Sequence, residues 1–494
     1  MKLITSLRQH AQDDRRIALY NAGTSLSYAQ LIRSIDSLSD FIKACGKPVI
    51  GLDMDNTPAW VIADLAALQA NVCLVPLAGF FSAAQLQHII RSAGISLILS
   101  DHAAQLKPRL TGFELLHEQS VSINQQPVSA LFLQVEPQPL ATDICKITFT
   151  SGTTGQPKGV LLDWPAIEKV IDSLADSVAV SADDRHLPIV PLAVLLENIA
   201  GIYVTLMRAG QVCLPGLAAT GISGSSGLDV TRLVSAIEHY QPTTLITSPQ
   251  ILQALSEALH GGNLSLPGLR FVAVGGARVT PELLQQARDN GLPAYQGYGL
   301  SECASVTTLN TQQADQPASV GKPLPHIQLD IADDGEVIIK NHHFRGYLGQ
   351  ADSAVCGDWP TGDIGYLDEQ GYLYISGRKK NMFITAMGRN VSPEWLETEL
   401  QQQATIRQAC VFGEGLSRNI AVIVSEHADR VSEAVQSVNQ SLPDYARISD
   451  FILASEPFLP ANGLLTATGR NRREQIYQFY RQSIEAFSME TRND

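Results

Sequence analysis

From residue 148 to 159 the chain reads Thr-Phe-Thr-Ser-Gly-Thr-Thr-Gly-Gln-Pro-Lys-Gly. A β-run, Cys145 to Phe149, leads into glycines at 152, 155 and 159, hydroxyls on Thr150, Ser151, Thr153 and Thr154, and the cation Lys158. Glycines let a backbone approach an anion closely, hydroxyls and amides donate to phosphate oxygens, and a lysine adds charge. The chemistry suggested is the holding of a polyphosphate. It is not the Walker pattern, which ends in Gly-Lys-Ser/Thr, because Pro157 precedes the lysine. An ordinary Gly/Thr-rich surface loop is the plain alternative, and the length and order of the run argue against it.

Four more segments follow: Tyr298-Gly-Leu-Ser-Glu302, Thr361-Gly-Asp363, Gly377-Arg-Lys-Lys380 and Gly388-Arg-Asn-Val-Ser-Pro-Glu394. Together with the 148–159 loop they resemble, in the same order, the motifs of the adenylate-forming superfamily. That superfamily includes acyl-CoA synthetases, peptide-synthetase adenylation domains and firefly-type luciferases. The resemblance spans roughly residues 20–475, and the stretch from Gly388 to Glu397 is similar to the long-chain acyl-CoA synthetase-like branch. It implies ATP, Mg2+ and coenzyme A as reactants and cofactors, with nucleotide and metal at a domain cleft.

The resemblance also implies roles for single residues. Thr150, Ser151, Gly152, Thr153, Thr154, Gly155 and Lys158 would hold the triphosphate. Glu302, next to Ser301 in the position of the family's threonine, would ligate Mg2+; a hard cation suits one carboxylate plus substrate phosphates. Tyr298 and Gly299 would lie against adenine, and Gly276 and Ala277 would floor the space between adenine and the acyl group. Asp363 would accept from both ribose hydroxyls, and Arg378 would touch ribose or phosphate. Lys380 would be the hinge about which a C-terminal domain pivots between half-reactions, bringing the loop from Ala386 to Arg389 toward the pantetheine arm. Each has a blander reading: a solvated Glu, a core Tyr, a turn Asp, a surface Arg or Lys.

Two departures matter. Where the family places a Gly-Lys pair near its C-terminus, this chain has Gly469-Arg470. Arginine keeps its charge but presents a planar fork of donors with a different reach. Adenylation could be slowed, carried by Arg470 in a changed role, or lost. The second departure is at the acyl site. Pro191-Leu-Ala-Val-Leu-Leu196 lacks both the acidic residue of amino-acid-activating relatives and the histidine that many acyl-CoA synthetases carry near Val194. No pairing charge disfavours an amino acid and points to a fatty or other apolar carboxylate. By periodicity alone, the face formed by Val194, Leu195, Ile199, Ile202 and Tyr203 reads as core.

These residues need elements to carry them. Apolar runs at 48–52, 72–75, 95–99, 243–246 and 271–274 alternate with helical segments after Thr57-Pro58, at 83–93, after Pro249 and after Thr280. Runs too continuous for a half-solvated sheet predict mostly parallel sheets covered on both faces. Asp334-Gly335 and Gln370-Gly371 sit between short alternating runs within 327–376 and predict β-hairpins. A helix at 393–403 and strands near 408–412 and 419–424 predict a smaller α+β segment, while the Gly/Ser-rich stretch 216–228 reads as a mobile loop. The expectation is an α/β protein with layered, mostly parallel sheets and a small β-barrel-like part in residues 1–379, and a mobile α+β domain in 380–494.

The 494 residues, with 35 basic and 49 acidic side chains, give a formal charge of −14 and no basic stripe, which argues against nucleic acid. Seven cysteines are scattered singly with no CxxC, so neither a disulfide framework nor a cysteine zinc site is suggested and a reducing cytoplasm fits. Residues 65–87 carry no charge and are long enough to span a bilayer, but Gln69, Asn71, Pro76, Gly79, Ser82 and Gln85 interrupt them. They parse as helix end, strand and next helix, and no transmembrane segment is expected. The reading that results is an acid–thiol ligase that forms acyl-AMP and passes the acyl group to CoA. A phosphopantetheinyl carrier protein is the alternative acceptor. A non-catalytic adenylate binder and a thioester-only enzyme are the rivals that Arg470 raises.

Overall fold

The computed structural model describes residues 1–489 apart from position 22 and segments 151–156, 224–226, 261–265, 267, 277–278, 385–389, 415, 417 and 467–468, with backbone only at 351, 384, 390, 445, 488 and 489. Local rules set many element boundaries. Ser27 and Ser82 cap the helices Tyr28–Cys45 and Ala83–Ala93 reciprocally with Gln30 and Gln85, and Gly46 and Gly94 end them in left-handed backbone. Proline follows the N-cap at Pro58, Pro249 and Pro281, where its missing N–H costs nothing. Residues 65–87 divide into the end of helix Pro58–Ala70, strand Cys73–Pro76 and the start of helix Ala83–Ala93. Among the described residues no helix is long and apolar enough to cross a membrane.

Two compact units form: residues 1–328 with 340–359, and residues 329–339 with 360–494. The first holds two large sheets. In the seven-stranded sheet the order is Glu114–Ile123, Gln126–Gln134, Leu97–Ser100, Val49–Asp53, Cys73–Pro76, Ile144–Thr150, Lys158–Asp163. Its centre is parallel and its outer pairs are antiparallel. In the nine-stranded sheet, parallel pairs run through Ile17–Asn21, Gln211–Cys213, Arg185–His186, Thr244–Thr247, Phe271–Val274 and Ala294–Leu300, with antiparallel strands added at both ends. The burial of every residue in Val49–Asp53, Cys73–Pro76 and Leu97–Ser100 is the reason these strands read as continuous apolar runs. Part of the stretch 216–228, expected as a loop, is ordered as a turn at Ala218–Thr220 and a hairpin pairing Ile222–Ser223 with Gly227–Leu228.

The hairpins expected within 327–376 form a four-stranded antiparallel sheet, Leu329–Ile331, Glu336–Phe344, Val355–Leu367 and Leu373–Arg378. Gly335 and Gly371 turn in left-handed backbone at φ 84° and 80°. Residues 360–379, read from sequence with the N-terminal part, cluster with the C-terminal residues. The contact behind this is close: a Cβ on Gly377 would stand 2.2 Å from Ser392 Oγ, the N-cap of helix Pro393–Gln401. The rest of the second unit is a three-stranded sheet, Gln408–Phe412, Asn419–Val424 and Ile448–Leu453, packed with helices Pro393–Gln401, Val431–Ser441 and Arg473–Met489.

One buried polar network fixes the strand that precedes the phosphate loop. Lys146, in the middle of Ile144–Thr150, is 3% exposed. Its ammonium donates to Asp64 Oδ1 at 2.7 Å, to Asn198 Oδ1, and to the Tyr203 hydroxyl at 3.0 Å. Asp64 Oδ2 in turn accepts from Asn198 Nδ2 at 2.9 Å and from the Tyr203 hydroxyl at 2.5 Å. Helix Pro58–Ala70, the loop strand and the helical segment after residue 194 are thereby tied to one another. Removing one member of a buried pair strands the other charge, so Lys146→Met should cost about 3–5 kcal/mol. The measurement is the shift of the urea unfolding midpoint, and the double variant Lys146→Met/Asp64→Leu should recover most of the loss.

Candidate active site

In the first unit the strands Ile144–Thr150 and Lys158–Asp163 pair antiparallel, with Thr150 opposite Lys158. Ser151, Gly152, Thr153, Thr154 and Gly155 lie outside the described residues, as does Ala277. Lys158, the first residue of the second strand, is exposed. Residues 346–348 run along the outer strand: Leu161 N donates to Gly346 O at 3.1 Å and Leu348 N to Gly159 O at 2.8 Å. That pairing sets Tyr347 beside the loop, with its ring centroid 5.6 Å from Lys158 Nζ. The Tyr347 hydroxyl donates to Glu302 Oε1 at 2.7 Å.

Glu302 sits on the short turn Ser301–Cys303 that follows strand Ala294–Leu300. His342 Nε2 lies 2.9 Å from the Glu302 carbonyl oxygen, holding the turn from the other side. Ser301 and Tyr298 are half-buried beside it, and Thr307 Oγ1 donates to the Tyr298 carbonyl at 3.0 Å. Gly299 is required by close packing, because a Cβ there would stand 1.8 Å from Ser305 O on the neighbouring strand. Gly276 takes left-handed backbone at φ 85° just after strand Phe271–Val274. Next to it, a Cβ on Gly275 would stand 3.7 Å from Leu196 Cδ2, so the helical segment and the glycine turn adjoin.

That helical segment is wide-turned over Glu197–Tyr203, a π-helical stretch running into Val204–Met207. Leu195, Ile199, Ile202 and Tyr203 are core, as their periodicity suggests, while Val194 and Leu196 keep partial exposure. Glu197 is fully buried and bonded to His186 Nε2 at 2.6 Å, and His186 Nδ1 is 2.9 Å from Thr244 Oγ1. Burial raises the Glu197 carboxyl pKa, opposed by the adjacent imidazole. This carboxyl is committed to the interior.

In the second unit Asp363 is 3% exposed, and its Oδ1 accepts from Arg378 Nε at 2.8 Å. The Asp363 amide is bonded to Thr361 Oγ1 at 3.1 Å. The Arg470 N–H donates to Thr466 Oγ1 at 3.0 Å and its carbonyl accepts from Thr466 N at 2.8 Å. Arg470 is exposed, with protein atoms of its own unit close around it. That crowding lowers its pKa first, the Arg378 cation adds to the lowering, and Asp363 opposes both. The guanidinium remains charged at any working pH. The turn is anchored behind Arg470 by Asn471, whose Nδ2 donates to Ala409 O at 2.8 Å, and by Arg473, paired to Glu397 at 2.7 Å. Lys380 is exposed, one residue after Lys379, which pairs with Asp334 and Glu336 at 2.7 and 2.6 Å. The segment Ala386 to Arg389 lies outside the described residues.

The sequence-derived residues thus come together in two groups, Lys158 with Glu302 and Asp363 with Arg378 and Arg470. Tyr347, His342 and Glu197 were not on the sequence-derived list. Nothing local marks them, since each matters through a partner far along the chain or through burial. The donor set suits Mg2+ rather than a softer metal. Glu302 is a single half-exposed carboxylate with one oxygen fixed by a phenol, and among the described residues no group of three or more His, Cys, Asp or Glu could hold a metal. A magnesium ion bound by one carboxylate completes its shell with water and phosphate oxygens.

A two-sheet α/β unit and a smaller α+β unit are the architecture that the adenylate-forming resemblance implies. The AMP-binding enzyme model matches residues 7–348, and the AMP-binding enzyme C-terminal domain matches residues 380–491. The chain belongs to the AMP-binding enzyme family and is an AMP-forming acid–thiol ligase. It is 26% identical over 435 residues to a feruloyl-CoA synthase of Amycolatopsis sp, covering 82% of this chain and 84% of that one. It is 24% identical over 533 residues to a long-chain-fatty-acid–CoA ligase of Mycobacterium bovis, covering 86% of each. Its fold is similar to a crystal structure of an anthranilate CoA ligase in complex with anthranoyl-AMP, with a TM-score of 0.81, 18% identity and 98% of both chains covered.

The close approach at Gly299 yields a local test. Gly299→Ala must push apart the strands carrying Tyr298 and Ser305, a cost of about 1–3 kcal/mol by analogy with overpacked cores. Thermal denaturation should show the lower midpoint, and the adjacent Ser301–Glu302 turn should lose nucleotide-dependent stabilisation.

Proposed function

We propose that this enzyme activates an apolar carboxylic acid, fatty in character, with ATP and transfers it to the thiol of coenzyme A. The observation that carries the adenylation half is the meeting of Lys158 and Glu302 around Tyr347 at the mouth of the phosphate loop. A carboxylate is ionised at neutral pH and needs no general base. Its oxygen attacks the α-phosphorus of ATP, pyrophosphate leaves, and acyl-AMP is formed. The barrier is electrostatic, two anions meeting while a third departs, and fixed cations and donors lower it. Lys158 holds phosphate charge in the first unit. Glu302 holds Mg2+, which when bound neutralises developing phosphate charge. In the second unit Asp363 receives the ribose, Arg378 orients that carboxylate, and Arg470 supplies the charge that a lysine gives in the family pattern.

The acyl preference is supported by Glu197. The one carboxylate on the acyl-side helical segment is turned inward to His186, and the partly exposed side chains there, Val194 and Leu196 among them, are apolar. A substrate ammonium would find no partner there. The feruloyl and long-chain fatty acyl groups named for the relatives are likewise carboxylates on large apolar bodies. The thiol then attacks the acyl carbonyl and AMP leaves; a phosphopantetheinyl carrier protein offers the same arm as CoA. Residues 380–494 pivot at Lys380 between the two steps. Cytoplasmic residence fits ATP and CoA as co-substrates.

Mass spectrometry of products from ATP, Mg2+, CoA and a panel of saturated and aryl acids tests this reading. AMP with acyl-CoA is expected, strongest for the apolar acids; acyl-AMP alone would make a carrier protein the acceptor, and neither product would overturn the proposal. Arg470→Ala should slow acyl-AMP formation about 100- to 1000-fold, the usual cost of removing one preorganised charge donor. It should leave thioester formation from synthetic acyl adenylate nearly intact. Lys380→Pro should slow overall turnover without abolishing ATP binding, and equal thioester formation by variant and parent would refute the hinge role.

A further inference from the structure

We propose that Tyr347 is a positioning residue that couples the metal-binding carboxylate to the phosphate-loop lysine; this rests on the reading of Glu302 as the Mg2+ ligand. The argument begins with what holds Tyr347. Its backbone is bridged to Val160, its N–H donates to Ser353 Oγ at 2.7 Å, and the flanking Gly346 and Leu348 bond the strand that begins at Lys158. Its ring packs edge-on against Phe344 with centroids 5.0 Å apart. The side chain is therefore set by the loop strand itself.

From that position Tyr347 does two things. Its hydroxyl donates to Glu302 Oε1 at 2.7 Å, so one carboxylate oxygen is fixed and the other is presented in a defined direction. A cation that takes only one or two protein carboxylates gains most from such orientation, because the ligand's rotational freedom is removed before the metal arrives. Its ring face lies 5.6 Å from Lys158 Nζ, near enough for a cation–π attraction that narrows where the ammonium can go. The phenol and the ring thus register the two charges that must meet the same polyphosphate from different strands. His342, bonded to the Glu302 carbonyl, holds the backbone of the turn but reaches neither charge.

The test is titration of Mn2+, as the probe for Mg2+, followed by electron paramagnetic resonance on the full chain with a non-hydrolysable ATP analogue. Tyr347→Phe keeps the ring and removes the donor, and it should weaken Mn2+ binding by about tenfold, the lower end for loss of a partner to a metal ligand. Its affinity for the analogue without metal should not change. Tyr347→Leu removes the ring as well and should also weaken the metal-free analogue. Glu302→Gln is the reference. If it weakens Mn2+ binding while Tyr347→Phe does not, the positioning role is overturned and the metal reading stands. If Glu302→Gln itself leaves Mn2+ affinity unchanged, the metal reading falls and this proposal falls with it. Circular dichroism of Tyr347→Phe, which fills the same volume, should match the parent.

Discussion

A lysine ammonium buried in the middle of a strand has to be satisfied on all sides, and Lys146 meets that demand by drawing Asp64, Asn198 and Tyr203 around it. The arrangement of the first unit follows from this. Asp64 comes from a helix whose residues Pro58 to Leu68 are all buried, so the ion pair anchors the loop strand to the centre of the core. Asn198 and Tyr203 come from the wide-turned helical segment that adjoins the Gly275 turn. One buried charge therefore aligns strand Ile144–Thr150 with the helical segment Glu197–Tyr203. An apolar residue at position 146 would pack as well locally but would leave that alignment to packing alone.

The same logic recurs wherever this protein places charge indoors. Glu197 is held by His186, Glu397 by Arg473, and Asp363 by Arg378. His186 sits on a core strand and Arg473 opens the helix that follows Arg470, and their pairs shape scaffolding. The third pair holds a carboxylate that is itself only 3% exposed in a fixed orientation. Arg470 adds a second cation to that neighbourhood, and two arginines with one aspartate leave net positive charge. Lysine at 470 would give a more mobile point charge; arginine gives a broader, planar donor fork.

The sequence by itself determined much of this protein. Strand and helix boundaries were legible where chemistry is local: Thr57 followed by Pro58 at a first turn, and glycines at 335 and 371 that tolerate left-handed backbone. The 148–159 segment, Glu302, Asp363 and the arginine in place of lysine were picked out because each is carried by a short segment of fixed order, and it is the family membership that those segments made legible. Tertiary structure decided what those segments touch. Tyr347 reaches Glu302 across 45 residues and Lys146 reaches Asp64 across 82, and neither separation leaves a periodic trace. Glu197 meets His186 only in the fold, and nothing in the residues around it marks that pairing. Residues 360–379 read with the N-terminal part because they follow it along the chain, while in the fold they cluster with the residues after 380, Gly377 lying close against Ser392. Local backbone preference acts over a few residues and is written in order along the chain. Pairing of buried charges and close packing of strands act through space, and only the folded chain brings those partners within reach.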